Sequence, residues 1–196
     1  MIFYQFGNID DFCESELKNV FNELSENQKK YIIAKKEQKK RQSLSARALL
    51  QRLLSKNFEN LSINKLIFND NGAPILEGDK SLYVSFSHSE NMVAAAVSDL
   101  PVGIDVEKIR EISQKTASKV CSADEVSFVL VGDRADFFRV WTLKEAYVKA
   151  IGTDFCGMKN KSFVKNGGII TQDGAFKIEQ GQIGEYVWSI YYCIKE

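Results

Sequence analysis

Two short segments hold residues whose types and spacing could do chemistry. In Val102-Gly103-Ile104-Asp105-Val106-Glu107 apolar and non-apolar residues alternate strictly, so an extended strand carries Asp105 and Glu107 side by side on one face. Some forty residues later Trp141, Lys144, Glu145, Val148 and Lys149 recur at helical spacing and project within one sector, with Phe137, Val140, Tyr147 and Ile151 beside it. If Glu145 points at the strand, three carboxylates converge. Such a hard, oxygen-only set suits Mg²⁺ shared with substrate phosphates better than zinc. The plainer alternatives are a solvated Glu145–Lys149 pair and the wet face of an edge strand.

Those residues need a strand and a helix to hold them, and the hydrophobic periodicity predicts both. Residues 10–58 read as helical, with a break that Ser25 or Asn27 could cap. Apolar Ile63, Leu66 and Phe68 lead into the turn signal Asn69-Asp70-Asn71-Gly72, and strands follow at 82–86 and 92–98 around Ser89-Glu90-Asn91. After the acidic strand, 112–151 reads as two helices parted near Gly132-Asp133, the second over 135–151, with Phe137, Phe138 and Trp141 as core anchors. Residues 162–195 read as two or three strands. Helices then strands up to about residue 100, followed by strand, helices and strands, approximates a repeated α+β unit with Pro101 at the junction.

The chain of 196 residues balances 26 Lys+Arg against 26 Asp+Glu, which removes the overall basic excess of a nucleic-acid binder. The charge is nonetheless uneven: ten cations lie between Lys29 and Lys56, with Glu37 the lone acid among them, which suggests an anionic partner. Cys13, Cys121, Cys156 and Cys193 are scattered without metal-ligand spacing. With no signal-peptide pattern and no long apolar run, the expectation is a cytoplasmic protein with reduced thiols and no membrane span.

Gly103-Ile104-Asp105-Val106-Glu107, together with Trp141-Thr142-Leu143-Lys144-Glu145-Ala146-Tyr147-Val148-Lys149-Ala150-Ile151-Gly152, resembles the G-[IV]-D-[IV]-E and W-x-x-K-E-[AS]-x-x-K-x-x-G motifs of 4'-phosphopantetheinyl transferases. Ser85-Phe86-Ser87-His88-Ser89 is similar to the family's S-x-S-H segment, and Asn71-Gly72-Ala73-Pro74 to its x-G-K-P turn. The resemblance is to the longer, surfactin-synthetase-activating type. It implies an α+β fold of two similar lobes in one chain: an N-terminal lobe, 1–100, with basic helices and coenzyme and carrier contacts, and a C-terminal lobe, 101–196, with the acidic motifs. The active site is expected at the lobe interface.

The implied reaction moves the phosphopantetheine arm of coenzyme A to a serine of an apo acyl or peptidyl carrier protein, releasing adenosine 3',5'-bisphosphate. By resemblance Asp105, Glu107 and Glu145 hold Mg²⁺, while Lys144 and Lys149 offset phosphate charge. Glu145, Lys149 and Glu107 are the catalytic candidates, and the serine proton goes to Glu145, Lys149 or a water on the metal. Arg41, Ser43, Arg47, Ser87, His88, Asp105, Lys144 and Lys149 are the expected coenzyme contacts, with Trp141 supporting Glu145. A monomer is expected, with neither nucleic acid nor membrane as partner. Two departures stand out. Ala73 replaces a frequent Lys, whose place Lys80 or Lys65 could take, and Thr153-Asp154 follows Gly152 where a second Gly is usual. A catalytically inactive coenzyme- or carrier-binding scaffold of the same fold is the alternative.

Overall fold

A computed structural model describes residues 1–69, 72–78 and 81–194, with residues 155 and 156 described by backbone alone. Asp70, Asn71 and Lys80, part of the expected turn and of the substitute cation set, lie outside the described residues, as does the side chain of Cys156. The fold is α+β, as the periodicity indicated, and the chain divides into two compact units, Met1–Leu100 and Pro101–Glu196.

The first unit runs β1 (Ile2–Asn8), α1 (Glu14–Glu23), α2 (Glu26–Ile33), α3 (Glu37–Asn57), β2 (Leu66–Phe68), β3 (Pro74–Leu76), β4 (Tyr83–Ser89) and β5 (Met92–Ser98). Its antiparallel sheet has the order β1-β5-β4-β3-β2. The opening strand differs from the expected helices-first order: Ile2–Asn8 pairs along the whole of β5, a long-range partnership that local periodicity does not register. Ser25 does cap α2, accepting a hydrogen bond from Gln28 N. The central strand β5 reads Val93-Ala94-Ala95-Ala96-Val97, every residue fully buried. Val93, Ala95 and Val97 share a core with Leu49, Leu50, Leu53 and Leu54 of α3. Side-chain alternation along β4 sets Val84 and Phe86 in that core and places Ser85 and Ser87 on the opposite face.

The second unit runs β6 (Val102–Lys108), α4 (Gln114–Val120), α5 (Ala123–Val131), α6 (Arg134–Ile151), α7 (Phe155–Asn160), β7 (Val164–Lys165), β8 (Gly168–Ile169), β9 (Gln172–Asp173), β10 (Phe176–Ile183) and β11 (Tyr186–Cys193). An antiparallel sheet β6-β11-β10-β9 carries α6 across one face, with a small β7–β8 hairpin beside it. The span 112–151 therefore holds three helices rather than two. Ser122 starts α5 with a capping box to Glu125, and Asp133 starts α6 with another to Asp136. The strand count after residue 162 exceeds the expected two or three because short pieces at 164–173 pair locally.

Candidate active site

Gly103 decides how closely β6 approaches α6. A Cβ there would lie 1.9 Å from the Ala146 carbonyl oxygen and 2.8 Å from Ala150 N, both backbone atoms, so only glycine lets this strand and helix meet. The close approach carries the rest of the Gly-Asp-Glu face against the helix. Asp105 is consequently only 4% exposed, and the wet strand face anticipated from the alternation is a buried one. Val102, Ile104 and Val106 on the other face of the strand are buried as well.

Asp105 Oδ1 accepts a hydrogen bond from Lys149 Nζ at 2.7 Å, and the same ammonium donates to the Ile104 carbonyl at 3.1 Å. Glu107, two residues along, accepts from Trp141 Nε1 at 3.4 Å and from Arg110 Nη1 at 3.1 Å. The expected support from Trp141 thus reaches Glu107 directly. Glu145, one turn before Lys149, is held above the usual carboxylate range, first by burial and then by the negative charges of Asp105 and Glu107; Lys149 opposes both. Glu145 thus feels the charges of Asp105, Glu107 and Lys149 together.

Lys144 occupies another place altogether. Its side chain is fully buried, 2.9 Å from Glu125 Oε2, and it donates to the carbonyls of Met158 at 2.8 Å and Lys161 at 2.6 Å. An ammonium has three donors and all are used inside the protein, so the expected contact with coenzyme phosphates does not stand. Helical geometry allows the separation: Lys144 lies at one edge of that sector, about 100° round from Glu145, and α5 and α7 pack against that edge. Glu125 escaped notice as its partner because it reads simply as the last residue of the Ser122-Ala123-Asp124-Glu125 cap signal.

The expected residues of the first unit also separate. Ser43, Arg47 and His88 line one cavity of about 510 Å³ together with Gln28, Tyr31 and Phe86. Arg47 is only 2% exposed, donates to Gln28 Oε1 and to the carbonyl and hydroxyl of Ser43, and lies 5.2 Å from the Phe86 ring centre and 5.6 Å from that of Phe68. Burial lowers its pKa to about 10, which leaves the guanidinium charged at neutral pH. Among the described residues no carboxylate lies within ion-pair distance of it. A buried cation of this kind, open to a cavity, calls for an anion. Arg41 lies outside that cavity, bonded instead to Glu14 and the Phe12 carbonyl. Ser87 points to the face of β4 opposite His88, as strand alternation requires. Arg41 and Ser87 are therefore not partners of His88 in the cavity. Tyr31, Gln28 and Phe86 were missed by motif reading, since only folding of α2 and β4 around α3 brings them to Arg47.

Residues 101–190, which include the whole acidic constellation, match the family model described as the 4'-phosphopantetheinyl transferase superfamily. Over these residues the chain is similar to that superfamily. It is 34% identical over 118 residues to the 4'-phosphopantetheinyl transferase psf-1 of Bacillus pumilus, a match covering 57% of this chain and 50% of that protein. To the 4'-phosphopantetheinyl transferase gsp of Aneurinibacillus migulanus it is 36% identical over 115 residues, 56% of this chain and 46% of the relative. To the 4'-phosphopantetheinyl transferase Sfp of Bacillus subtilis (strain 168) it is 30% identical over 112 residues, 55% and 48% respectively, in keeping with the longer type that the motifs resemble. These matches span about half the length of each relative. Among the described residues no helix is long and apolar enough to cross a membrane.

Proposed function

We propose that this chain, acting as a monomer in the cytoplasm, transfers the 4'-phosphopantetheine arm of coenzyme A to a serine hydroxyl of an apo acyl or peptidyl carrier protein, with adenosine 3',5'-bisphosphate as the other product. The observation that carries the proposal is the Asp105–Lys149 pair beside Glu107 and Glu145, within the region matched to the family. Displacement at a phosphate needs positioning and charge neutralisation more than covalent chemistry, and this cluster offers both kinds of charge.

Asp105, Glu107 and Glu145 are the residues that would hold Mg²⁺. Among the described residues no three acidic, histidine or cysteine side chains close into a ready ligand group. The fit rests on the chemistry of the set: all donors are carboxylate oxygens, and a hard divalent cation suits three of them, with Glu145 raised first by burial and then by the charges of Asp105 and Glu107. Bound there, Mg²⁺ would act as a Lewis acid on the pyrophosphate. Lys149 supplies a positive donor beside the cluster and orients Asp105 through their hydrogen bond. Glu145, whose pKa is raised, is the candidate we favour among Glu145, Lys149 and a water on the metal to accept the serine proton.

The cavity around Arg47 is assigned to a phosphate of the coenzyme, with Ser43 and His88 as further polar contacts. Its support is the buried guanidinium described above, together with the aromatic wall of Tyr31 and Phe86.

The test is the intact mass of a purified apo carrier protein after incubation with the chain, coenzyme A and Mg²⁺, beside an EDTA control. A metal-dependent gain of one phosphopantetheinyl group supports the transferase. No gain with several unrelated apo carriers, using folded protein that still binds coenzyme A, would favour the inactive scaffold instead.

A further inference from the structure

We infer that Lys144 is a positioning residue: its buried ion pair with Glu125 sets the rotation of α6 that turns Glu145 and Lys149 toward β6. Its kinetic consequence rests on the transferase reading, while its structural consequence does not.

The argument begins with helix geometry. Trp141, Glu145 and Lys149 are spaced four apart and fall within roughly 80° of the helix circumference, whereas Lys144 stands about 100° from Glu145 and about 140° from Lys149. The first three face β6: Trp141 reaches Glu107, and Lys149 reaches Asp105. Lys144 leaves α6 about 100° round from Glu145 and meets α5 and α7.

What it meets is a junction of four segments. Glu125 Oε2 takes the Lys144 ammonium at 2.9 Å and the Ser122 N–H at 2.7 Å, while Oε1 takes the Phe163 N–H at 2.9 Å. Lys144 in turn donates to the carbonyls of Met158, in α7, and Lys161, just beyond it. The start of α5, the middle of α6, the end of α7 and the chain entering β7 are thus tied through two fully buried, fully bonded charges. A buried ion pair adds little net stability over an apolar pair of the same size, but its directional bonds tolerate only one arrangement, and breaking one partner is costly. On the sheet side, the Gly103 approach and the 2.6 Å hydrogen bond between Thr142 and Ser189 hold the helix from below. Clamped from both sides, α6 has one rotation available, and that rotation presents Glu145.

The test is a cycle of Lys144→Met, Glu125→Gln and the double variant in a Trp188→Phe background, where Trp141 is the sole tryptophan and reports the α6–β6 contact. Far-UV circular dichroism establishes folding, and kcat, KM for coenzyme A and Trp141 emission are measured for each. We expect each single variant to lose about tenfold or more in kcat with KM for coenzyme A within about twofold, because misplacement rather than lost binding is at issue. Emission should shift in both, and the double variant should be no worse than the poorer single, as two halves of one device behave. A raised KM with kcat retained would return Lys144 to the coenzyme. Additive losses, or unmoved emission in folded single variants, would also overturn the inference.

Should Lys144→Met fail to fold, Glu125→Gln, which keeps the shape and an acceptor oxygen, decides the question by the same readouts. If the unaltered chain transfers nothing, the functional reading fails. The emission cycle then stands alone: a coupled shift upholds the positioning role, and an absent or additive shift refutes it.

Discussion

Lys149 Nζ lies 2.7 Å from Asp105 Oδ1, joining the last turn of α6 to the middle of β6 across a boundary where the carboxylate is nearly inaccessible to water. The two residues come from motifs 44 positions apart in sequence. Asp105 is thus held by a cation, whereas the ionised form of Glu145 beside it is disfavoured first by burial and then by Asp105 and Glu107.

That contrast separates two substitutions. Asp105→Ala removes the carboxylate partner of the Lys149 ammonium, leaving it the Ile104 carbonyl, and is expected to cost about 1–3 kcal/mol of stability as well as abolishing transfer. Glu145→Gln should also abolish transfer, yet leave stability unchanged or raised at neutral pH. The sign follows from the raised pKa: the folded state binds the Glu145 proton more tightly than the unfolded state does. Its cost to stability is therefore present above the folded pKa and disappears as pH falls below the unfolded value. Urea midpoints of both variants at neutral and acid pH check this, and equal destabilisation of the two at neutral pH would count against the cluster as described.

Gly103→Ala is expected to push β6 away from α6. No side chain can yield, since the clash is with the Ala146 carbonyl and Ala150 N, so the cost should be about 1–3 kcal/mol in urea unfolding, as for other overpacked interiors. Transfer should fall with it, because Asp105 and Glu107 move with the strand. Wild-type stability with wild-type turnover would exclude this close approach.

The cavity around Arg47 gives a binding expectation. Adenosine 3',5'-bisphosphate should raise the thermal midpoint of the chain, adenosine should not, and Arg47→Gln should remove the effect, since the charge on the cavity wall is lost. A thermal scan with each ligand measures it. An undiminished bisphosphate shift in folded Arg47→Gln would place the phosphate elsewhere.

Acid stability should depend on Asp173. Burial alone would raise its pKa, but hydrogen bonds from Lys161 Nζ at 2.7 Å and Tyr191 Oη at 2.6 Å outweigh burial and hold it below the ordinary carboxylate value. Its contribution is therefore complete above the unfolded pKa of about 3.9 and lost as pH falls through the lower folded value. Asp173→Asn should be less stable than the parent at neutral pH, and the gap should narrow on acidification below about pH 4. A gap independent of pH would argue against the ionic part of this contact.

Much of the architecture was legible in local pattern. The α+β class, the strands at 92–98 and 102–107 and the long helix ending at Gly152 follow from periods of two and 3.6 and from a glycine C-cap, all written within a few residues. The family too was legible, because its motifs are short, contiguous and ordered along the chain. Strand β1 was not: its only cue is a partner more than eighty residues away.

At the site the division is the same. Residue type and spacing determined that Asp105 and Glu107 share one strand face, and that Glu145 and Lys149 lie one turn apart on a helix. Only the tertiary structure decided which way that helix is turned. Lys144 sits next to Glu145 and reads as an equally available charge, but the Gly103 approach on one side and Glu125 on the other assign it to the interior. Arg41 and Arg47 likewise belong to one basic helix, yet one is tied to α1 and the other is buried in a cavity wall. A charge on a helix is accessible or buried according to what packs against its face, and that is set by partners distant in sequence, not by neighbours along the chain.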